Sequence, residues 1–221
     1  GVWRLSKKPL MNTKSKLKKL VLFDIDGTLI TWAGKYVNGL SRFQYGMKDA
    51  WGIDIGNEID SFEGVPEWKS AWEVAKQYGV NRTQFEKKFS VYVEAMRAFL
   101  VDRSKTYPLY VSISEAFELV ALLHRRKDVH LGVLSANAER TGKWKLEHWG
   151  LHNYFRFGLW GDKAESRIEI AQSVFKKANE FFNHSFTPQN IIVVGDTIHD
   201  IQCGKAIGSV TIAVTTGRIS A

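Results

Sequence analysis

The sequence predicts an α/β fold built on a parallel sheet, with a block of helices inserted after its first strand. Three observations carry this. Short apolar, β-rich runs recur along the chain and stop at polar or turn residues. Helical patterns fill the stretches between those runs. The stretch from Ala33 to Tyr107 instead holds helical patterns and no convincing strand.

The first strand is Lys19 to Ile25, halted by Asp26-Gly27. The insertion follows, with amphipathic helices expected at Val37–Trp51, Glu67–Tyr78 and Arg82–Val101. Gly56, Gly64-Val65-Pro66 and Gly79 punctuate them, and Pro108 marks the return to the sheet. Ser114–Arg126 places Phe117, Val120, Leu122 and Leu123 at helical spacing and precedes a second strand at Val129–Leu134. Ala138–Trp149 reads as a helix and Phe155–Leu159 as a weak strand. Ala164–Phe182 reads as one further helix. Strands at Asn190–Val194 and Val210–Val214 complete the sheet.

Composition narrows the function classes. The chain has 221 residues, 44% hydrophobic and 24% charged, which excludes a disordered or collagen-like chain. No run of 18 apolar residues exists, so no membrane span is expected. A secretory signal is not expected either, because the basic start lacks an apolar run. The single cysteine, Cys203, reads as a buried packing residue and fits a reducing, cytoplasmic setting. The net charge is +8, but seven basic residues fall within 1–19, where there is no acid. The rest carries 24 basic against 23 acidic residues, so the body is nearly neutral. The arm reads as a solvated tail, and no nucleic-acid partner is expected.

The chemistry gathers where strands end. Asp24 and Asp26 follow the first strand, Ser135 the second, and Asp196 the third. Ligands bind at that edge of an open parallel sheet, and carboxylates from separate strands converge there. Such hard oxygen ligands suit Mg²⁺, which would offset repulsion among Asp24, Asp26, Asp196 and Asp200.

Phe23-Asp24-Ile25-Asp26-Gly27-Thr28-Leu29 resembles the first motif of the haloacid dehalogenase (HAD) superfamily of phosphohydrolases. Gly195-Asp196-Thr197-Ile198-His199-Asp200 resembles its fourth, and Leu134-Ser135-Ala136-Asn137 its second, with Ser-Ala in place of the commoner Thr-Gly. The match runs in order from Leu20 to Gly217.

The resemblance implies a Rossmannoid three-layer α/β/α core, residues 20–32 and 108–221, with a helical cap domain at 33–107 and a basic arm at 1–19. It implies Asp24 as a carboxylate nucleophile and Asp26 as general acid and base. Mg²⁺ would be held by Asp24, the Asp26 carbonyl and Asp196, with Asp200 ligating directly or through water. Ser135, Ala136 and Asn137 would bind the phosphoryl group. Lys145 is the first candidate for the cation that completes this grip. Arg167 is its rival and Lys163 a third. Gly64, in the loop Glu63-Gly64-Val65-Pro66-Glu67-Trp68, is expected near substrate, and Trp68 reads equally as a specificity wall or a packed residue. His199 reads as solvated.

The implied activity is Mg²⁺-dependent hydrolysis of a small phosphomonoester, phosphoglycolate- or sugar-phosphate-like, through an aspartyl-phosphate. A phosphomutase is the alternative, and a binding protein using the basic arm a more distant one. The expected partner is a small phosphorylated metabolite, and the expected state a monomer.

Overall fold

A computed structural model of the chain describes residues 18–34, 39–56, 62 and 64–217. The arm through residue 17, Val37-Asn38 at the start of the first inserted helix, and Glu63 lie outside the described residues.

Five parallel strands form one sheet in the order β5-β4-β1-β6-β7. They are β1 (Lys19–Phe23), β4 (Val129–Leu134), β5 (Phe157–Leu159), β6 (Ile191–Gly195) and β7 (Val210–Ala213). β1 is central because its residues are apolar on both faces. Val21 and Phe23 join one core with Leu131, Val133 and Leu146. Leu20 and Leu22 join another with Val193, Ile170, Val174 and Cys203. Alternate side chains point to opposite faces of a strand, so each face needs its own cover. Helices α4 (Ser114–His124) and α5 (Glu139–His148) cover the first face. Helices α6 (Arg167–Gln172), α7 (Val174–Phe182) and α8 (Ile198–Ala206) cover the second. This is the three-layer α/β/α core the motifs imply.

Register sets the site. Phe23 lies opposite Val133 on one side and Val194 on the other. The carboxyl ends of β1, β4 and β6 therefore finish within a residue of one another, which brings Asp24, Ser135 and Asp196 to a single edge.

Helices α1 (Gly39–Trp51), α2 (Glu67–Gln77) and α3 (Arg82–Ser104) make up the insertion. Asn81 and Gln84 form a reciprocal capping box at the start of α3. Phe43, Met47, Trp68, Phe85, Phe89 and Tyr92 bury one another there, apart from the sheet.

Helix α8 stands where the sequence reading places no helix, and two further features depart from that reading. A short antiparallel pair, β2 (Ile30–Trp32) and β3 (Tyr110–Ser112), joins the outgoing and returning chain at the base of the insertion. Three residues are too few to show a period, and the pairing is held by contacts distant in sequence, including the stacked rings of Trp32 and Tyr110 at 4.4 Å. The single helix expected at Ala164–Phe182 is two. Its first residues are irregular, Ser166 caps α6 by accepting from the Glu169 amide, and the Ser173 hydroxyl donates to the Ile170 carbonyl between the two helices. Serine competes for backbone groups in this way and interrupts helices.

Candidate active site

Beyond β1 the chain makes a tight turn. The amides of Thr28, Leu29 and Ile30 all donate to the Ile25 carbonyl, and Gly27 adopts φ +80°. A Cβ at Gly27 would collide with the Asp196 carboxylate, so glycine is required on two counts. The turn presents Asp24 and Asp26 on different sides. Asp24 is buried, while the Asp26 side chain keeps 38% exposure.

On the Asp24 side, Asp24, Asp196 and Asp200 each offer a carboxylate oxygen within 4.8 Å of the others. Thr28 donates its hydroxyl to Asp196 at 3.1 Å. Arg167, from the start of α6, donates to Asp24 at 3.2 Å and to Asp200 at 2.5 Å. Asp200 also caps its own helix, its second oxygen accepting from the amide (3.0 Å) and hydroxyl (2.6 Å) of Thr197. Both Asp200 oxygens thus have protein donors, and its position is fixed from two sides.

Burial pushes the Asp24 carboxyl up to about 7, with Arg167 opposing and Asp200 and Asp26 adding to the rise. Burial also raises Asp196, despite the hydrogen bond from Thr28. Three acids around one guanidinium lack positive charge. An all-oxygen donor set short of countercharge fits a hard divalent cation.

On the Asp26 side, Lys145 is the centre. This lysine of α5 is almost wholly buried and donates to both Asp26 oxygens, at 2.8 and 2.6 Å, and to Asn137 Oδ1 at 2.8 Å. Asn137 donates in turn to Asp26 and to the Ser135 hydroxyl, each at 2.8 Å. Burial alone would raise the Asp26 carboxyl, but Lys145, Asn137 and Arg42 together hold it below its usual range. Burial lowers Lys145 against the pull of Asp26. The two rival cations therefore do not compete for one place, since Arg167 serves Asp24 and Lys145 serves Asp26. Lys163 is exposed, with φ +57°, away from these contacts.

The insertion reaches this edge through Glu67, the first residue of α2. Its carboxylate accepts from Arg42 of α1, from the Ala138 amide at 2.7 Å and from the Thr141 hydroxyl at 2.8 Å. Its own amide donates to the Ala136 carbonyl at 2.9 Å. A buried glutamate so tied to the loop carrying Ser135, Ala136 and Asn137 escaped the sequence reading. Acidic residues open helices routinely, so its type carried no signal. Arg42, in a helix face of ordinary polarity, carried none either.

Gly64 takes φ +72°, and a Cβ there would collide with the His199 imidazole. Gly64 thus packs closely on His199, which is half-buried rather than solvated. Trp68 packs against Phe85 and Phe89. Cys203 is fully buried, as expected. The chain after β7 also returns to this edge. Thr216 donates its hydroxyl to the Gly27 carbonyl at 2.7 Å, and Gly217 lies so close to Asp196 that a side chain would not fit.

Residues 21–214 match the model of the haloacid dehalogenase-like hydrolases. The chain belongs to that family. Within the HAD hydrolases, it is 26% identical over 202 residues to a phosphoglycolate phosphatase of Aquifex aeolicus, covering 91% of this chain and 86% of the relative. It is 23% identical over 207 residues to the phosphoglycolate phosphatase of Pseudomonas putida, covering 91% and 71%. A predicted phosphatase from Clostridium acetobutylicum shares the fold of this HAD chain with a TM-score of 0.61 at 22% identity, over 92% of this chain and 88% of the other. No helix among the described residues is long and apolar enough to cross a membrane.

Proposed function

We propose that this chain is a Mg²⁺-dependent phosphatase of small phosphomonoesters that works through an aspartyl-phosphate. The observation that carries the reading is the separation of two groups at one sheet edge. Asp24, Asp196 and Asp200 gather on one side of the first turn, and Asp26 stands with Lys145 on the other. A nucleophile beside a metal-binding acid cluster, with a separate carboxylate for proton transfer, is what two-step phosphoryl transfer requires. The two phosphoglycolate phosphatase relatives support the reading.

In the first step an Asp24 oxygen attacks phosphorus. A new O–P bond forms, the ester O–P bond breaks, and the leaving oxygen takes a proton from Asp26. In the second, water attacks phosphorus, the Asp24 O–P bond breaks, and Asp26 takes the proton from water. Held ionised by Lys145 in the free chain, Asp26 is set for the second step. A phosphoryl oxygen that engages Lys145 loosens that hold and raises the proton affinity of Asp26 for the first.

Asp24, the Asp26 carbonyl and Asp196 would hold Mg²⁺, with Asp200 reached through water because its own oxygens already accept from Arg167 and Thr197. When bound, Mg²⁺ supplies the positive charge the cluster lacks and favours the anionic phosphoryl group. Arg167 keeps Asp24 oriented and, with the cation, ionised. Ser135, the Ala136 amide, Asn137 and Lys145 grip phosphoryl oxygens. Residues 33–107 act as a cap on a core of 20–32 and 108–221, with Gly64 and Glu67 at their junction, and exclude water from the site.

The test is inorganic phosphate release from a panel of small phosphomonoesters with and without Mg²⁺. Release that needs the cation and falls at least ~10³-fold in Asp24→Asn is expected. Full activity in that variant would remove Asp24 as the nucleophile.

A further inference from the structure

In the proposed mechanism the Lys145 ammonium changes partners during turnover. In the free chain it donates to both Asp26 oxygens and to Asn137 Oδ1. A phosphoryl oxygen then takes a share of it. A lysine is a point charge on a flexible stem, so hydrogen bonds that are being exchanged do not keep its head in place. Another contact is needed to hold it.

The ring of Tyr110 supplies one. Lys145 Nζ stands over that ring, 5.1 Å from its centre. A cation within about 6 Å of an aromatic face is attracted to it, and more strongly where water is excluded. Lys145 and Tyr110 are only 1% and 3% exposed. The attraction is to the face of the ring and needs no particular acceptor. It therefore persists while the oxygens around the ammonium change.

The ring is itself fixed. Trp32 stacks on it at 4.4 Å with the planes 19° apart, and the two residues are register partners in the β2–β3 pair. Trp144, the neighbour of Lys145 in α5, stands 6.5 Å from the same ring. A buried tyrosine ordinarily finds a partner for its hydroxyl. Here the buried Tyr110 hydroxyl has none among the described residues, so the ring is what this side chain contributes.

We infer that Tyr110, held by Trp32, is a positioning residue for Lys145 and acts through its ring rather than its hydroxyl. This rests on the phosphatase reading above and deepens it. The two strands at the base of the insertion thereby set the place of a side chain that α5 carries into the site.

Two measurements on the full chain test it. The first needs no turnover. In protein labelled with carbon-13 at lysine Cε, the Lys145 signal is assigned by its loss in Lys145→Met. Its ε protons should lie upfield of the solvated lysines, shifted by the ring, in the unmutated chain and in Tyr110→Phe. In Tyr110→Leu they should fall back to the solvated position. A Lys145 signal already at that position in the unmutated chain, or unmoved by Tyr110→Leu, overturns the inference. The second is kcat/KM for p-nitrophenyl phosphate with Mg²⁺. Tyr110→Leu should lose roughly tenfold, and Tyr110→Phe should recover that loss to within about twofold. In a Lys145→Met background, Tyr110→Leu should cost less than about twofold, because nothing remains for the ring to hold. Equal losses in the two backgrounds, or no recovery by phenylalanine, overturn positioning through Lys145. Circular dichroism and a melting curve show that each variant is folded. If Tyr110→Leu does not fold, Trp32→Leu at the half-buried end of the stack replaces it, with smaller changes in the same directions expected and an unmoved lysine signal overturning the inference. No turnover by the folded, unmutated chain would remove the phosphatase reading, and the lysine signal would still decide whether Tyr110 positions Lys145.

Discussion

Arg167 spans two carboxylates that are both buried, and its guanidinium suits that task. A planar fork donates to Asp24 and Asp200 at once, where a lysine would present a single point charge. Even so, Asp24 sits near 7 in the absence of a cation. A carboxyl raised above its unfolded value of about 3.9 binds its proton more tightly in the folded chain. The stability this contributes is complete below about pH 4 and is lost as pH rises to about 7. The metal-free protein should therefore melt progressively lower from pH 5 to pH 8, by an effect on the order of a few kcal/mol, and Mg²⁺ should restore it. Burial lowers His130 and gives a slope of the opposite sign, so the comparison to make is with Asp24→Asn, which keeps His130. Thermal melts in chelator should be flatter with pH in that variant. Parallel curves would mean that Asp24 is already ionised without metal. In the sequence, Lys145 and Arg167 were rivals for one role, because spacing along a chain does not reveal which carboxylate each one meets.

The element scale is dominated by the first turn of α2. One glutamate there joins α1, the start of α5 and the loop after β4, through Arg42, Ala138, Thr141 and Ala136. The amide of Trp68 adds a bond to the Gly161 carbonyl at 3.3 Å, and the Gly161 amide donates to the Asn137 carbonyl at 2.8 Å. Glu67→Gln keeps the shape but leaves Arg42 without its countercharge. A loss of about 2–4 kcal/mol in urea unfolding is expected, because removing one partner of a buried pair strands the other. Glu73→Gln, on the same helix but in an exposed pair with Lys69, should cost no more than ~0.5 kcal/mol. Equal losses in the two variants would reduce Glu67 to an ordinary surface acid. Helices with a clear apolar face were legible to within a turn. The split at Ser173 and the β2–β3 pair were not, because a serine hydroxyl and a three-residue strand leave no trace in periodicity.

For the whole molecule, legibility followed burial on two faces. β1 and β6 could be read because each is buried on both faces and apolar along its length, whereas β7 at the sheet edge is largely exposed and was read from its β-rich composition; polar residues gather where strands stop. Motif order alone assigns Asp24, Asp26, Ser135 and Asp196 to one edge. What could not be read is how the insertion meets that edge. Arg42 and Glu67 come from different helices of the insertion, and their meeting depends on how helices pack rather than on any local pattern.

The segment after β7 closes against the turn that begins the site, with Thr216 bonded to Gly27 and Gly217 set against Asp196. These residues are far from Asp24 in the chain but lie at the same sheet edge. Occupancy of that edge should thus be readable in the exchange of their backbone hydrogens with solvent. Deuterium uptake over 214–217 should slow when Mg²⁺ binds, while uptake on the exposed face of α4 stays constant. In that sense the end of the fold is a built-in reporter of its beginning, and mass spectrometry of a single peptide would follow cation loading without any substrate being turned over.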